Sequence, residues 1–151
     1  MTKIAIAAIA PMVTVLSVAS FSYASYVSSN KLATHTANGI PFVSGGFGVE
    51  ERTALRAAGE KDNLELSFAL RNKEYLGGAD VSIKDEKGKQ ILDAESRGPL
   101  FYAKLPEGKY TVMATAGGKT LSQMVQVPSK GQAHLYFAWR QADTARTLAQ
   151  K

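Results

Sequence analysis

Leu64-Glu65-Leu66-Ser67-Phe68-Ala69-Leu70 is the stretch whose reading decides the fold. Leu64, Leu66, Phe68 and Leu70 alternate with Glu65, Ser67 and Ala69, and a period of two is the mark of a strand with one face buried. The same period continues downstream. After Arg71-Asn72-Lys73-Glu74 and the glycines Gly77 and Gly78, Ala79, Val81 and Ile83 point one way while Asp80, Ser82 and Lys84 point the other. Asp85-Glu86-Lys87-Gly88 reads as a turn, with Gly88 placed for a positive φ. Gln90 to Glu95 is the return strand, which Arg97-Gly98-Pro99 breaks. Leu100 to Leu105 follows, closed by Pro106-Glu107-Gly108. Tyr110, Val112 and Ala114 share a face of the next strand, and Gly117-Gly118 links it as a two-residue hairpin to Lys119–Val127. After Pro128-Ser129-Lys130-Gly131, Ala133, Leu135, Phe137 and Trp139 alternate with His134 and Tyr136. Seven short strands with regular turn signals predict a mainly β fold, a seven-stranded transthyretin/immunoglobulin-like β-sandwich.

One helix precedes the strands. Val49 to Ala58 carries Glu50 and Glu51 in its first turn, where carboxylates favour the positive end of the helix dipole, and Arg56 in its last. Gly59 is expected as the C′ glycine that stops it, with Val49, Leu55 and Ala58 as the packing face. Upstream, residues 25–48 hold a single charged side chain, Lys31, among Ser, Thr, Asn and Gly, and read as a flexible linker. Ile40-Pro41-Phe42-Val43 interrupts that linker and is expected to pin the chain as an extended strand. Ser44-Gly45-Gly46-Phe47-Gly48 has no Gly-Lys-Ser/Thr after it, so it reads as a turn into the helix and not as a phosphate loop.

Met1-Thr2-Lys3 opens an uncharged run from Ile4 to Asn30, with the densest apolar part at Ile4 to Leu16. That is the length of a signal-peptide core and short for a membrane span; Ser22-Tyr23-Ala24 offers small residues for cleavage after Ala24. The expected organisation is a signal peptide over 1–24, a linker over 25–48, the sandwich with its leading helix over 49–140 and a tail over 141–151. An uncleaved N-terminal anchor is the competing reading. The expected localisation is periplasmic or secreted, with membrane contact only transient, through the signal peptide.

The 151 residues contain no cysteine, which excludes disulfides, thiolate metal sites, a thiol nucleophile and a lipidated N-terminal cysteine. Export without cysteine places all stability in the apolar core. The net charge is +5, distributed unevenly: residues 25–95 hold 9 basic and 11 acidic side chains, residues 96–151 hold 8 and 2. Basic residues are not interleaved with aromatics, so no nucleic-acid partner is expected.

Gly78-Ala79-Asp80-Val81-Ser82-Ile83-Lys84, the turn through Gly88, and Leu105-Pro106-Glu107-Gly108-Lys109-Tyr110-Thr111-Val112 together resemble the carboxypeptidase regulatory-like domain, a transthyretin-like sandwich family. The resemblance covers about Leu64 to Val127, and Gly98-Pro99-Leu100-Phe101 departs from the family's usual Gly-x-Phe turn. It implies a fold used for passenger, adhesive and carbohydrate-binding modules. The enzymatic relatives do not fit. A hydroxyisourate hydrolase uses paired histidines and a Tyr-Arg-Gly-Ser ending, whereas this chain has His35 and His134 far apart and ends Leu148-Ala149-Gln150-Lys151.

Two functions remain. The first is a non-catalytic exported domain of the cell envelope that binds a protein or glycan partner, by a sheet edge or by outward aromatics such as Tyr102 and Tyr136. The alternative is a small envelope hydrolase using the carboxylates of the 80–95 hairpin, Asp80, Asp85, Glu86, Asp93 and Glu95, converging with His134. The more economical account of those carboxylates is solubility of turns and outer strand faces. Asp85-Glu86 lacks the alternating ligands of a calcium loop. An intramolecular Lys–Asn bond is not expected either, because Asn72, the one Asn after Leu64, lies in a turn. No catalytic, cofactor-binding or metal residue and no cofactor is assigned.

Overall fold

The computed structural model describes residues 32–145. The expected signal peptide, the first part of the expected linker and the end of the tail lie outside the described residues. Within them the order is β1 His35–Ala37, β2 Ile40–Gly45, α1 Val49–Gly59, β3 Leu64–Leu70, β4 Asp80–Asp85, β5 Gln90–Glu95, β6 Leu100–Ala103, β7 Gly108–Ala116, β8 Lys119–Val127, β9 Ala133–Trp139 and α2 Gln141–Ala145. The strands form a five-stranded sheet, β1-β2-β6-β3-β9, and a four-stranded sheet, β5-β4-β7-β8. All pairs are antiparallel except β3 with β9.

The alternation read from the sequence is the inner face of this sandwich. Leu64, Leu66, Phe68 and Leu70 meet Phe101, Phe137 and Trp139 within one sheet and Val81, Ile83, Leu92, Val112 and Ala114 from the other. Each such side chain contributes roughly 1.5–3 kcal/mol when fully buried. Phe68, Phe137 and Trp139 form a ring cluster with centroids 5.9–6.2 Å apart. At the hairpin, Ala116 faces Lys119, and Gly117 and Gly118 take φ of 58° and 76°. Two consecutive positive φ values suit the tight loop that matches strand twist, and glycine reaches them without penalty.

The strand count differs from the sequence reading: nine strands are present among the described residues, the seven expected ones plus β1 and β2. β2 contains the extended strand expected at Ile40 to Val43, and the rest of β2 and β1 turn more of the expected linker into sheet. β2 pairs with β6, and four of its residues, Phe42 to Gly45, are buried. Phe42 joins the sandwich core while Val43 faces the opposite way, so β2 is covered on both sides and shows no alternation.

Helix α1 provides the second cover. It lies on β2 and β6, where Leu55 packs with Val43, Leu100 and Tyr102. Val49 and Ala58, expected on the packing face, are exposed; one leucine anchors the helix. Gly59 is also not a stop signal. The helix runs through it to a right-handed Glu60, and a Cβ on Gly59 would collide with ring carbons of Tyr102. The glycine is there to let the helix backbone approach the aromatic ring. β6 is shorter than expected, ending at Ala103.

Candidate interaction surface

The carboxylates of the 80–95 hairpin do not form a site with His134. Asp80 pairs across to Glu95 and Ser82 to Asp93, which places these acids on the outer, solvent-facing side of the four-stranded sheet. His134 stands on the outer side of the other sheet, so the full thickness of the sandwich separates them. Its partner is Glu65, directly opposite in the parallel ladder, with Nδ1 2.8 Å from the carboxylate and the His134 side chain 63% exposed. Asp85 serves the turn: its Oδ1 accepts from the amides of Lys87 and Lys89, both at 2.9 Å. Glu86 lies in the same turn, and His35 sits in β1 beside the ring of Phe42.

The two aromatics expected outward divide. Tyr136 is 55% exposed. Tyr102 does turn away from the sandwich interior, but α1 lies over it and leaves it 2% exposed. Burial pushes its hydroxyl up to about 12; the Glu65 carboxylate adds to the rise and the Arg56 guanidinium opposes it. Tyr102 is thus a packing residue beneath the helix and not a contact for a partner.

The sheet edges differ more sharply. A strand edge presents unpaired amides and carbonyls, and proteins blunt such edges by shortness, charge, bulges or cover. β1 has three residues. β5 carries Asp93 and Glu95 and is bulged by one extra residue, Ile91, between its pairings with Ile83 and Lys84. On β9, Gln123 Nε2 donates to Tyr136 O at 2.7 Å and occupies an edge carbonyl. β8 packs beside β9 but lacks the other devices: it is nine residues long, it has no bulge, and after Lys119 the run Thr120-Leu121-Ser122-Gln123-Met124-Val125-Gln126-Val127 contains no charge and no proline.

The direction of the open groups on β8 follows from the hairpin. A two-residue loop makes Ala116 and Lys119 its closing hydrogen-bonded pair, so Leu121, Gln123, Val125 and Val127 turn their backbone groups to β7. Thr120, Ser122, Met124 and Gln126 turn theirs away. Their side chains lie on the outer face, where Met124 is 76% exposed. Two bridges hold β8 against β9, Gln123 to Tyr136 O and Trp139 Nε1 to Lys119 O at 2.8 Å. The terminal strand β8 is therefore tied to β9 at Lys119 and at Gln123. The sequence predicts a sheet edge as a class of surface but does not locate it, because strand order is not written in local patterning.

No protein-family model matches the chain, and no curated protein matches it. Among solved structures, the major pilin subunit of Bacillus cereus, BcpA, is similar at 18% identity with a TM-score of 0.39, over 51% of this chain and 29% of that one. The matched part thus spans less than a third of that protein's length, and the likeness carries no functional argument. Among the described residues no helix is long and apolar enough to cross a membrane.

Proposed function

We propose that this protein is a non-catalytic, exported β-sandwich module of the cell envelope that binds a protein partner by strand addition along β8. The observation that carries the reading is the nine-residue edge of β8, uncharged beyond Lys119 and without bulge or proline. Backbone hydrogen bonds to an added strand supply affinity in such complexes, and side chains alternating along the strand supply selectivity. The uncharged run after Lys3 supports export, and the carboxypeptidase regulatory-like resemblance supports a module without chemistry of its own. The hydrolase reading has no support from the geometry, since Asp80, Asp93 and Glu95 face away from His134 across the sandwich and Asp85 and Glu86 lie at the β4–β5 turn.

The test is site-specific crosslinking in intact cells. A photoreactive phenylalanine analogue in place of Ser122 is expected to yield a discrete adduct that disappears when Met124→Pro is added. The same analogue in place of Asp93, on the acidic β5 edge, is expected to yield none. Adducts from both positions, or an adduct from position 122 that persists with Met124→Pro, contradict strand addition.

A further inference from the structure

At the start of β8 the sandwich carries a small basic pocket of about 270 Å³, where Arg71, Lys119 and Arg140 surround Trp139. The three cations come from separate parts of the chain: the end of β3, the first residue of β8 and the residue after β9. Two main-chain contacts fix the frame, Arg71 N to Trp139 O at 2.8 Å and Trp139 Nε1 to Lys119 O at 2.8 Å. Asp143 also lines the pocket. Yet the ion pair found among the described residues is His134–Glu65, so no described carboxylate lies within pairing distance of the three cations. Three basic residues thus line the pocket at one end of the open edge against a single acid, Asp143, which forms an ion pair with none of them.

Strand direction ties the pocket to the edge. Every pairing within the β8 sheet is antiparallel, and antiparallel addition is the better pairing for a new edge strand. A strand running antiparallel to β8 has its C-terminal end beside Lys119. Resting on the strand-addition reading above, we infer that the partner segment is an uncharged, extended C-terminal tail whose free carboxylate is held by Lys119, Arg140 and Arg71. The tail's amides and carbonyls pair with Thr120, Ser122, Met124 and Gln126, and the residue above Met124 is apolar. Its last residue reaches the basic pocket, where ammonium and guanidinium groups pair with the carboxylate. This gives the basic excess of residues 96–151 a local use, since two of the three cations come from that segment.

The experiment uses the full-length protein and a fluorescent eight-residue peptide of alternating Thr and Val, in two forms: free C-terminal acid and C-terminal amide. The acid is expected to bind about ten-fold more tightly than the amide, a preference that shrinks as salt rises from about 50 mM to about 500 mM. Lys119→Gln with Arg140→Gln is expected to remove the preference while leaving the amide's affinity unchanged, and Arg71→Gln serves as a second, independent neutralisation. Met124→Pro is expected to weaken both peptides. Equal binding of acid and amide, still sensitive to Met124→Pro, overturns carboxylate capture and leaves strand addition standing. An acid preference that survives Met124→Pro overturns strand addition. Absence of binding by either peptide overturns both. Self-association of the protein that Met124→Pro abolishes makes a second copy the occupant and overturns the tail.

Discussion

Asn63 is where the fold makes its sharpest energetic demand. It precedes β3, is 3% exposed, and its side-chain amide joins three segments at one end of the sandwich. Nδ2 donates to Leu105 O at 2.6 Å and to Pro128 O at 3.3 Å, and Oδ1 accepts from Leu105 N at 2.8 Å. Asn63→Ala removes all three bonds and leaves the buried amide and carbonyl of Leu105 without a partner. A net hydrogen bond is worth about 1 kcal/mol and an orphaned buried group costs about 1–3 kcal/mol, so the expected loss is about 3 kcal/mol. Asn63→Asp should cost about as much, because a second acceptor then faces two carbonyl oxygens. Urea unfolding followed by the fluorescence of Trp139, the sole tryptophan, is the assay. With a slope of about 1.5 kcal/mol/M, the midpoint should fall by about 2 M at unchanged slope. A fall of less than about 0.5 M would mean that water replaces the clamp and that the end of the sandwich is not closed by Asn63.

Other substitutions probe separate parts of the account. Gly59→Ala should destabilise by about 1–2 kcal/mol, overpacking against Tyr102 outweighing the gain in helix propensity, and the penalty should vanish in a Tyr102→Leu background in thermal melts. The raised pKa of Tyr102 means that the unfolded chain ionises first. Stability should therefore be intact below about pH 10 and be lost as pH rises towards about 12, with a shallower alkaline limb in Tyr102→Phe and the remainder from Tyr110, which burial also raises. Met124→Pro should keep the native melting transition to within about 1 kcal/mol, since its N–H points away from β7 and proline is tolerated on edge strands; a large loss would show that the inferred direction of the β8 amides is wrong.

What could be read from the sequence was what repeats locally. Apart from β6, the strands from Leu64 to Trp139 announce themselves because each has a more covered and a wetter face, and glycines such as Gly88 and Gly118 mark their turns. β2 and β6 are different. Leu100, Phe101, Tyr102 and Ala103 are all buried, because the sandwich takes one side and α1 the other, so neither alternation nor the facing of Tyr102 could be inferred. Ile40 to Val43 is legible as an extended strand within a linker, but not its pairing with β6, nor that Phe42 and Val43 belong to two different cores. The candidate surface depended on sheet order. That β4 and β5 lie in one sheet and β9 in the other separates the hairpin acids from His134, and that β8 ends its sheet leaves it open. Neither relation has a local signature.

The most direct test of strand addition is residue-resolved amide exchange across β8, in the free protein and with the free-acid Thr/Val peptide. The amides of Leu121, Gln123 and Val125 should be protected in both states. Those of Thr120, Ser122, Met124 and Gln126 should exchange rapidly when free and become protected on binding. Protection already present at these four positions in the free protein, or peptide-induced protection confined to β5 or to the face around Tyr136, would contradict the account.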